Sequence, residues 1–481
     1  MSSRTKKRKK SKYNILFLII QIVISVVFGA LLLYLDMLPG LYLGAIIGIL
    51  VVLILINYLL LSWKSGRAIS YGLSVIISLV LIVGGYYIFR TSAMLDKITS
   101  VNTEINNINV YVRADDPAEA IEDIASYDFG ILEALDREHT DETINKINKK
   151  LGNTISTKGY EGPTDLIDEL LKGSIDAIIL NEGYVGMFEG IEGYENVKEK
   201  IKSIYINTFE TEVENQAPVD KDVSSDGFVV YLSGIDTTGP VSTKSRSDVN
   251  ILMAINPTTR KILLVNTPRD YYVPLSISGG VRDKLTHAGN YGINVSMDTL
   301  EMLYGVDVDY YVRLNFSSFV TIIDTLGGID VYSDYSFNAD GYSYSKGNNN
   351  LNGKEALAFA RERYSFGEGD RQRGKNQMAV IQAVINKITS PALLSNYTAL
   401  LSDISSSIQT NISNDEISDL VKMQLSDMRG WEISSTSVDG TGSSNYTFSM
   451  PRQKAYVMIP SETSVNEAVN MIKGVLQGGN D

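Results

Sequence analysis

The sequence has no cysteine, which excludes disulfides, thiol nucleophiles and cysteine-ligated zinc. Histidine is nearly as scarce, two in 481 residues, and no HExxH helix, Walker loop or GxSxG elbow is present. Basic charge is also short. Lys and Arg total 43 against 56 Asp and Glu, and a net charge of −13 speaks against a nucleic-acid binder, since phosphate backbones attract basic surfaces. What the chain does have is unevenly placed. Residues 14–89 are almost continuously apolar, and most of the acidic charge follows them.

Three apolar runs, near Ile15–Tyr34, Leu41–Leu61 and Ile69–Phe89, each approach the roughly 20 residues a helix needs to cross a bilayer. The head MSSRTKKRKKSK and the loop SWKSGRA are basic, whereas DMLPG carries only an acid. The positive-inside rule then places the N-terminus in the cytoplasm and everything after about residue 90 outside a cell membrane crossed three times. The basic head has a natural partner there in anionic lipid.

Residues 91–216 read as a small accessory α/β domain. Strands are expected at Val110–Val112 and Asp176–Leu180, a helix starting near Pro117, and a helix running into a strand over ENVKEKIKSIYINTFE. No catalytic constellation is visible, and His139, flanked by charges, reads as a solvated surface residue. Residues 217–227 are polar and read as a linker. From Phe228 to the end, strands such as FVVYLSGI, NILMAI and KILLVN alternate with helical stretches. That pattern predicts an α-β-α sandwich with a central mixed sheet. After about Ser390 two amphipathic helices and one strand with a polar loop are expected.

Four charged clusters fall at the ends of these elements: Asp236 in GIDTTGP, Arg246 and Asp248 in SRSDVN, Arg269 and Asp270 in TPRDYY, and Arg361, Arg363, Arg371, Arg373, Lys375 and Gln377 in FARERYSFGEGDRQRGKNQ. Asp236 and Asp248 suit a hard divalent ion such as Mg²⁺, which takes one or two carboxylates and fills its shell with water and phosphate oxygens. Converging arginines supply planar donors for phosphate. Arg361 and Arg363, two apart in an extended segment, would share one face. The alternative for each pair is a structural ion pair at a strand end. For Asp270 the salt bridge is the simpler reading, and His287 is either a polar site group or a satisfied structural histidine.

The stretches SRSDVNILMAINPTTRKILLVNTPRDYYV, DKLTHAGNYG, RLNFSSFVTIIDTLGGIDV, LNGKEALAFARERY and RGKNQ occur in that order and resemble the LytR–CpsA–Psr family. The three-span anchor and extra domain resemble its streptococcal capsule-locus CpsA type. The resemblance implies a membrane-anchored, Mg²⁺-dependent phosphotransferase that moves capsular polysaccharide from a polyprenyl-pyrophosphate carrier to peptidoglycan. Water as acceptor would make pyrophosphatase a side activity, and other capsule-assembly proteins are expected partners. By position, Asp236 and Asp248 match the metal-side acids. Arg246, Arg269, Arg361, Arg363 and Arg373 match the pyrophosphate-binding arginines, Gln377 the glutamine that ends the motif, and Lys284 the lysine of the DK motif. The family often has an arginine where this chain has Asn376, and Arg371 or Lys375 is expected to compensate. The resemblance also implies a tunnel for the lipid tail, for which Phe316, Phe319, Val320 and Ile323 are candidates; at helical spacing these also fit ordinary core. A non-catalytic regulator that binds lipid-linked precursors is the competing reading.

Overall fold

The computed structural model describes the chain apart from residues 1, 64, 100–102, 214–218, 236, 238, 368, 391–399, 401–404, 406 and 479–481, and the side chains of 2–15 and 98–99. Three helices open it, α1 (Ser2–Leu35), α2 (Gly40–Ser62) and α3 (Gly66–Thr99). Each contains an apolar stretch of 20 or more residues, long enough to cross a membrane. Inside this bundle the buried Asn57 amide donates to Gln21 Oε1 and, at 2.6 Å, to Ser74 Oγ. One polar contact thus joins all three helices where the surrounding side chains are apolar, which fixes their register.

The accessory region is a five-stranded sheet. Its strands are β1 (Thr103–Arg113), β2 (Asp128–Leu132), β3 (Ser156–Tyr160), β4 (Ala177–Asn181) and β5 (Ile201–Glu212), in spatial order β3-β2-β4-β1-β5. Alternation along β1 sends Ile108, Val110 and Val112 to one core with Phe129 and Ile147, and Tyr111 to the other. The covering helices are α4 (Arg137–Leu151) on the first face, and α5 (Pro163–Lys172) and α6 (Glu182–Met187) on the second. The helix expected from Pro117 is only a short 3₁₀ turn, Ile121–Ile124. Asp123 accepts from the amides of Glu119 and Ala120 and closes that turn, and β2 begins at Asp128, leaving no room for a longer helix. His139 is less solvated than expected. Its ring packs 4.6 Å from that of Phe209 and Nδ1 lies 2.6 Å from Asp136.

The second sheet has six strands: β6 (Phe228–Ile235), β7 (Ser247–Asn256), β8 (Lys261–Asn266), β9 (Tyr310–Asn315), β10 (Ile408–Thr410) and β11 (Glu432–Ser437), in the order β10-β9-β6-β7-β8-β11. It is mixed: β6 runs parallel to β9 and antiparallel to β7, and β8 runs parallel to β11. One face carries Val229, Tyr231, Leu252 and Val265 against Met297 and Ile472; the other carries Phe228, Val230, Ile251 and Leu264 against Met378 and Ile385. Helices therefore cover both faces of the sheet, α7 (Ile293–Tyr304) and α12 (Glu462–Leu476) on one, and α10 (Asp370–Ile388) with α11 (Asn414–Asp427) on the other. Between them α8 (Phe316–Thr325) follows β9, and α9 (Gly353–Arg361) precedes α10. Where one strand was expected near the C-terminus, three form: β11 is followed by Gly440–Asn445, which pairs with Ala455–Pro460.

The parts are tied together. Val223 of the polar segment before β6 is buried and Lys221 pairs with Asp309 at 2.7 Å. Leu95 near the end of α3 packs with Ile408 and Ile417 of the second domain, and Lys422 meets Asp36 at 2.8 Å. The membrane helices are thus seated directly on the edge of the larger domain.

Candidate active site

The register of the large sheet collects the charged clusters. Ile235 pairs with both Ser247 and Asn315, and Ile251 pairs with Asn266. The end of β6, the start of β7, the end of β8 and the end of β9 therefore share one edge, the place where loops of an α/β sheet build sites. A cleft of about 320 Å³ opens there, and Asp248, Arg269, Arg361, Arg363, Arg373, Gln377 and Phe316 all line it.

Each side chain is held for a reason. Asp248 Oδ2 accepts from Arg269 at 2.8 Å and its Oδ1 accepts from Thr286 Oγ1 at 3.1 Å. Arg373 and Gln377, four apart on α10, face the same way. Helix α10 can come this close because residue 374 is glycine: a Cβ there would fall 2.4 Å from Asn266 Nδ2. Arg373 pairs with Asp370 at 2.7 Å. Arg361 ends α9 rather than lying in an extended segment, and its guanidinium rests 4.5 Å over the Phe316 ring. Arg363 lies 4.7 Å over Tyr364. Neither Arg361 nor Arg363 has a carboxylate partner among the described residues.

Burial works to raise the Asp248 carboxyl, but the guanidiniums of Arg269, Arg246 and Arg373 outweigh it and hold the group below the ordinary carboxylate range. Burial likewise opposes the charge on Arg269, yet Asp248 and Asp270 push its pKa up. For Arg373, burial and the neighbouring Arg269 win, and its pKa is drawn below the ordinary arginine value. A guanidinium in that state gains most from an incoming anion.

Other expected site residues stand elsewhere. Arg246 sits beside the cleft with its Nη2 2.9 Å from Glu189 Oε2. Lys284 is buried and holds Asp270 at 3.0 Å, so both lie behind the lining residues. Arg371 points away to Asp439. Asn376 is buried, accepting from Gln372 and donating to the Phe359 carbonyl, so it does not replace a cleft arginine, and neither Arg371 nor Lys375 lines the cleft in its stead. His287 is structural, with Nδ1 2.7 Å from the buried Asp283. Asp236 lies outside the described residues.

Of the lipid-tail candidates, Phe316 and Phe319 line an apolar cavity of about 100 Å³ that shares Val249, Phe316, Arg361 and Gln377 with the cleft. Val320 does not line it, and Ile323 belongs to a separate core with Ile329 and Phe359. A larger apolar cavity of about 340 Å³ lies on the same face of the sheet, among Met253, Ile385, Leu420 and Trp431. Nothing local in the sequence marked it, because amphipathic helices look alike whether they close a core or line a cavity. Three carboxylates that line the cleft were also missed: Glu189 of the accessory domain, and Asp340 and Glu362 from the segments flanking α9.

The LytR_cpsA_psr family model matches residues 192–470. The chain is 38% identical over 196 residues to the polyisoprenyl-teichoic acid–peptidoglycan teichoic acid transferase TagU of Bacillus licheniformis, covering 40% of this chain and 63% of that protein. It is 34% identical over 232 residues to the TagU of Bacillus cereus, covering 46% and 75%. The match thus spans less than two thirds of the Bacillus licheniformis protein. The crystal structure of Bacillus subtilis TagU superposes with a TM-score of 0.42 at 32% identity, covering 52% of this chain and 97% of that one. With more than half of its length matched by the family model, the chain belongs to the LytR_cpsA_psr family.

Proposed function

We propose that this protein is a membrane-anchored phosphotransferase that moves a glycopolymer from a polyprenyl-pyrophosphate carrier to peptidoglycan. The observation that carries the reading is the convergence of Asp248, Arg269, Arg361, Arg363, Arg373 and Gln377, from separate segments, on a cleft that opens into an apolar cavity. A lipid pyrophosphate has the same two-part character, a charged head joined to an apolar tail. The relatives' activity, transfer of a polyisoprenyl-linked polymer to peptidoglycan, is of this chemical kind. Capsular polysaccharide is the cargo we favour, from the resemblance of the anchor and extra domain.

In this mechanism the arginines bind the pyrophosphate and hold the phosphorus nearest the glycan open to attack. A sugar hydroxyl of peptidoglycan forms the new O–P bond, the bridging P–O bond breaks, and the hydroxyl proton is released to solvent. Polyprenyl phosphate leaves with its charge answered by Arg361 and Arg363, whose donors no carboxylate has claimed among the described residues. Such transfer rests on positioning and electrostatics more than on covalent help from the protein. Water as nucleophile gives the pyrophosphatase side reaction. Among the described residues no three acids or histidines cluster as a complete metal cage. Asp248 alone, ionised and lining the cleft, fits a magnesium ion that takes its other ligands from phosphate and water. Bound there, magnesium would neutralise pyrophosphate charge. The three apolar helices support a reaction at a bilayer surface, and the basic head favours, by the positive-inside rule, a cytoplasmic N-terminus with the later residues outside.

The test is release of polyprenyl phosphate from a polyprenyl pyrophosphate by the purified full-length protein, with and without magnesium. Turnover that needs magnesium and fails in Asp248→Ala and Arg269→Ala is the expected result. Binding without turnover, even with peptidoglycan fragments supplied, would replace the enzyme with a lipid-precursor sensor.

A further inference from the structure

Beside the charged cleft lies a second cavity, of about 250 Å³, between the accessory and larger domains. One wall is Tyr111 of β1 with Glu182, Gly183 and Gly186 of α6; the other is the loop entering β7, including Lys244 and Arg246. The Arg246–Glu189 ion pair is the partition: Arg246 lines this cavity and Glu189 lines the charged cleft. The approach of the two domains is close enough that a Cβ at Gly186 would fall 3.0 Å from Arg246 Nε. On the accessory side, Tyr111 and the α6 residues precede residue 192, outside the segment the family model matches, while Lys198 and Ile201 fall within it.

The chemistry differs from that of its neighbour. Here the cations are already answered by carboxylates: Lys198 lies 2.6 Å from Glu189, Lys244 lies 3.6 Å from Glu104, and Arg246 is paired with Glu189. Glu182 on the rim accepts from Asn107 at 2.9 Å and keeps further acceptor capacity. The Tyr111 hydroxyl accepts from Asn109 at 3.0 Å, and burial pushes its pKa up, so it stays a donor. Paired donors and acceptors with little net charge suit a neutral hydroxyl-rich ring, whereas a phosphate would require unanswered cations. The volume is below the ~300 Å³ of a drug-sized site, which suits a single sugar.

We propose that this interdomain cavity is a sugar subsite, holding the sugar next to the pyrophosphate in the lipid-linked donor. The inference rests on the phosphotransferase reading, which supplies the pyrophosphate in the adjoining cleft. It completes a series of three neighbouring chambers, apolar, charged and polar, that follows the order of groups along a lipid–pyrophosphate–sugar molecule. It also gives the accessory domain a task, selecting the glycan.

The experiment compares two probes on the full-length protein in detergent: polyprenyl pyrophosphate, and the same lipid bearing one N-acetylglucosamine. A few added hydrogen bonds should tighten binding of the sugar-bearing lipid roughly tenfold. Glu182→Ala and Tyr111→Phe should each shrink that ratio several-fold while leaving the bare lipid unaffected. Hydrogen exchange gives a readout that needs no variant, with amides of residues 182–186 protected by the sugar-bearing lipid only. Equal affinity for the two lipids, a ratio that survives in both variants, or no protection would overturn the subsite and leave the phosphate reading intact. Protection produced by a free peptidoglycan disaccharide would assign the cavity to the acceptor and overturn the donor assignment. Failure to bind either lipid would remove the phosphotransferase reading itself.

Discussion

Arg313 and the pair Arg361 and Arg363 carry the same functional group in opposite circumstances. Arg313, in β9, is 1% exposed and spans the junction between domains. It donates to Glu104 Oε1 of β1 at 2.9 Å and to the Thr243 carbonyl at 3.0 Å, while Glu104 also accepts from the Ile293 amide at 2.8 Å. Arg361 and Arg363 lie on aromatic faces, without a carboxylate among the described residues. An arginine whose charge is answered inside the protein fixes geometry, and one whose charge is left unanswered at a cleft is available to a ligand. The junction holds the accessory domain against the larger one; the cleft uses the result.

The largest effect should come from the junction. Arg313→Ala leaves Glu104 buried without its strongest partner, and breaking such a pair costs about 3–5 kcal/mol of stability. Denaturant unfolding should show a midpoint lowered accordingly, whereas a loss under about 1 kcal/mol, the range of exposed pairs, would make Arg313 no more structural than a surface arginine. Arg269→Ala should do the reverse. Its side chain is 18% exposed and pairs with Asp248 in the cleft, so stability should fall modestly while turnover falls by roughly 10²–10³, the range seen when a donor that stabilises transition-state charge is removed. Matched turnover in wild type and variant would sink its place in the site.

How much of this was legible in the sequence follows the same division. Strand ends announce themselves, so position alone makes Asp248 and Arg269 candidates, which the structure brings to one cleft, and three long apolar runs mark the helices that the structure shows. Rotation about a helix axis was harder. Arg371 and Arg373 are two apart in α10, which turns them by roughly 200°, so Arg373 enters the cleft and Arg371 meets Asp439 outside. Asn376 and Gln377 diverge in the same way, one into the core and one to the cleft. Contacts between domains left no local trace. Glu189 reaches Arg246 across 57 residues of sequence and Glu104 reaches Arg313 across 209, and neither acid differs in its surroundings from many surface acids.

A milder probe is pH. The Asp248 carboxyl is held below its ordinary value by the surrounding arginines, although burial opposes this. A carboxylate with a depressed folded-state pKa contributes stability that is fully present above its unfolded value, about 3.9, and is lost as pH falls through the lower folded value. The Tm difference between wild type and Asp248→Asn should therefore be constant from neutral pH to about 5 and narrow below about 4. A difference that stays flat down to pH 3 would mean that the arginines do not depend on this charge.

The smallest effect belongs to Glu189, which stands between the two kinds of arginine. It answers the charge of Arg246, as Glu104 does for Arg313, yet it lines the cleft. Burial opposes its ionisation, but Lys198 and Arg246 hold its pKa below the ordinary value, so it faces an incoming pyrophosphate as an anion. Removing that charge should help the ligand more than it loosens Arg246, which is only 6% exposed. Glu189→Gln should thus bind bare polyprenyl pyrophosphate about two- to fivefold more tightly, a gain of under ~1 kcal/mol. The gain should shrink as salt screens the repulsion. Weaker binding by the same factor, insensitive to salt, would make Glu189 the orienting partner of a ligand-binding arginine and move it to the structural side of the comparison.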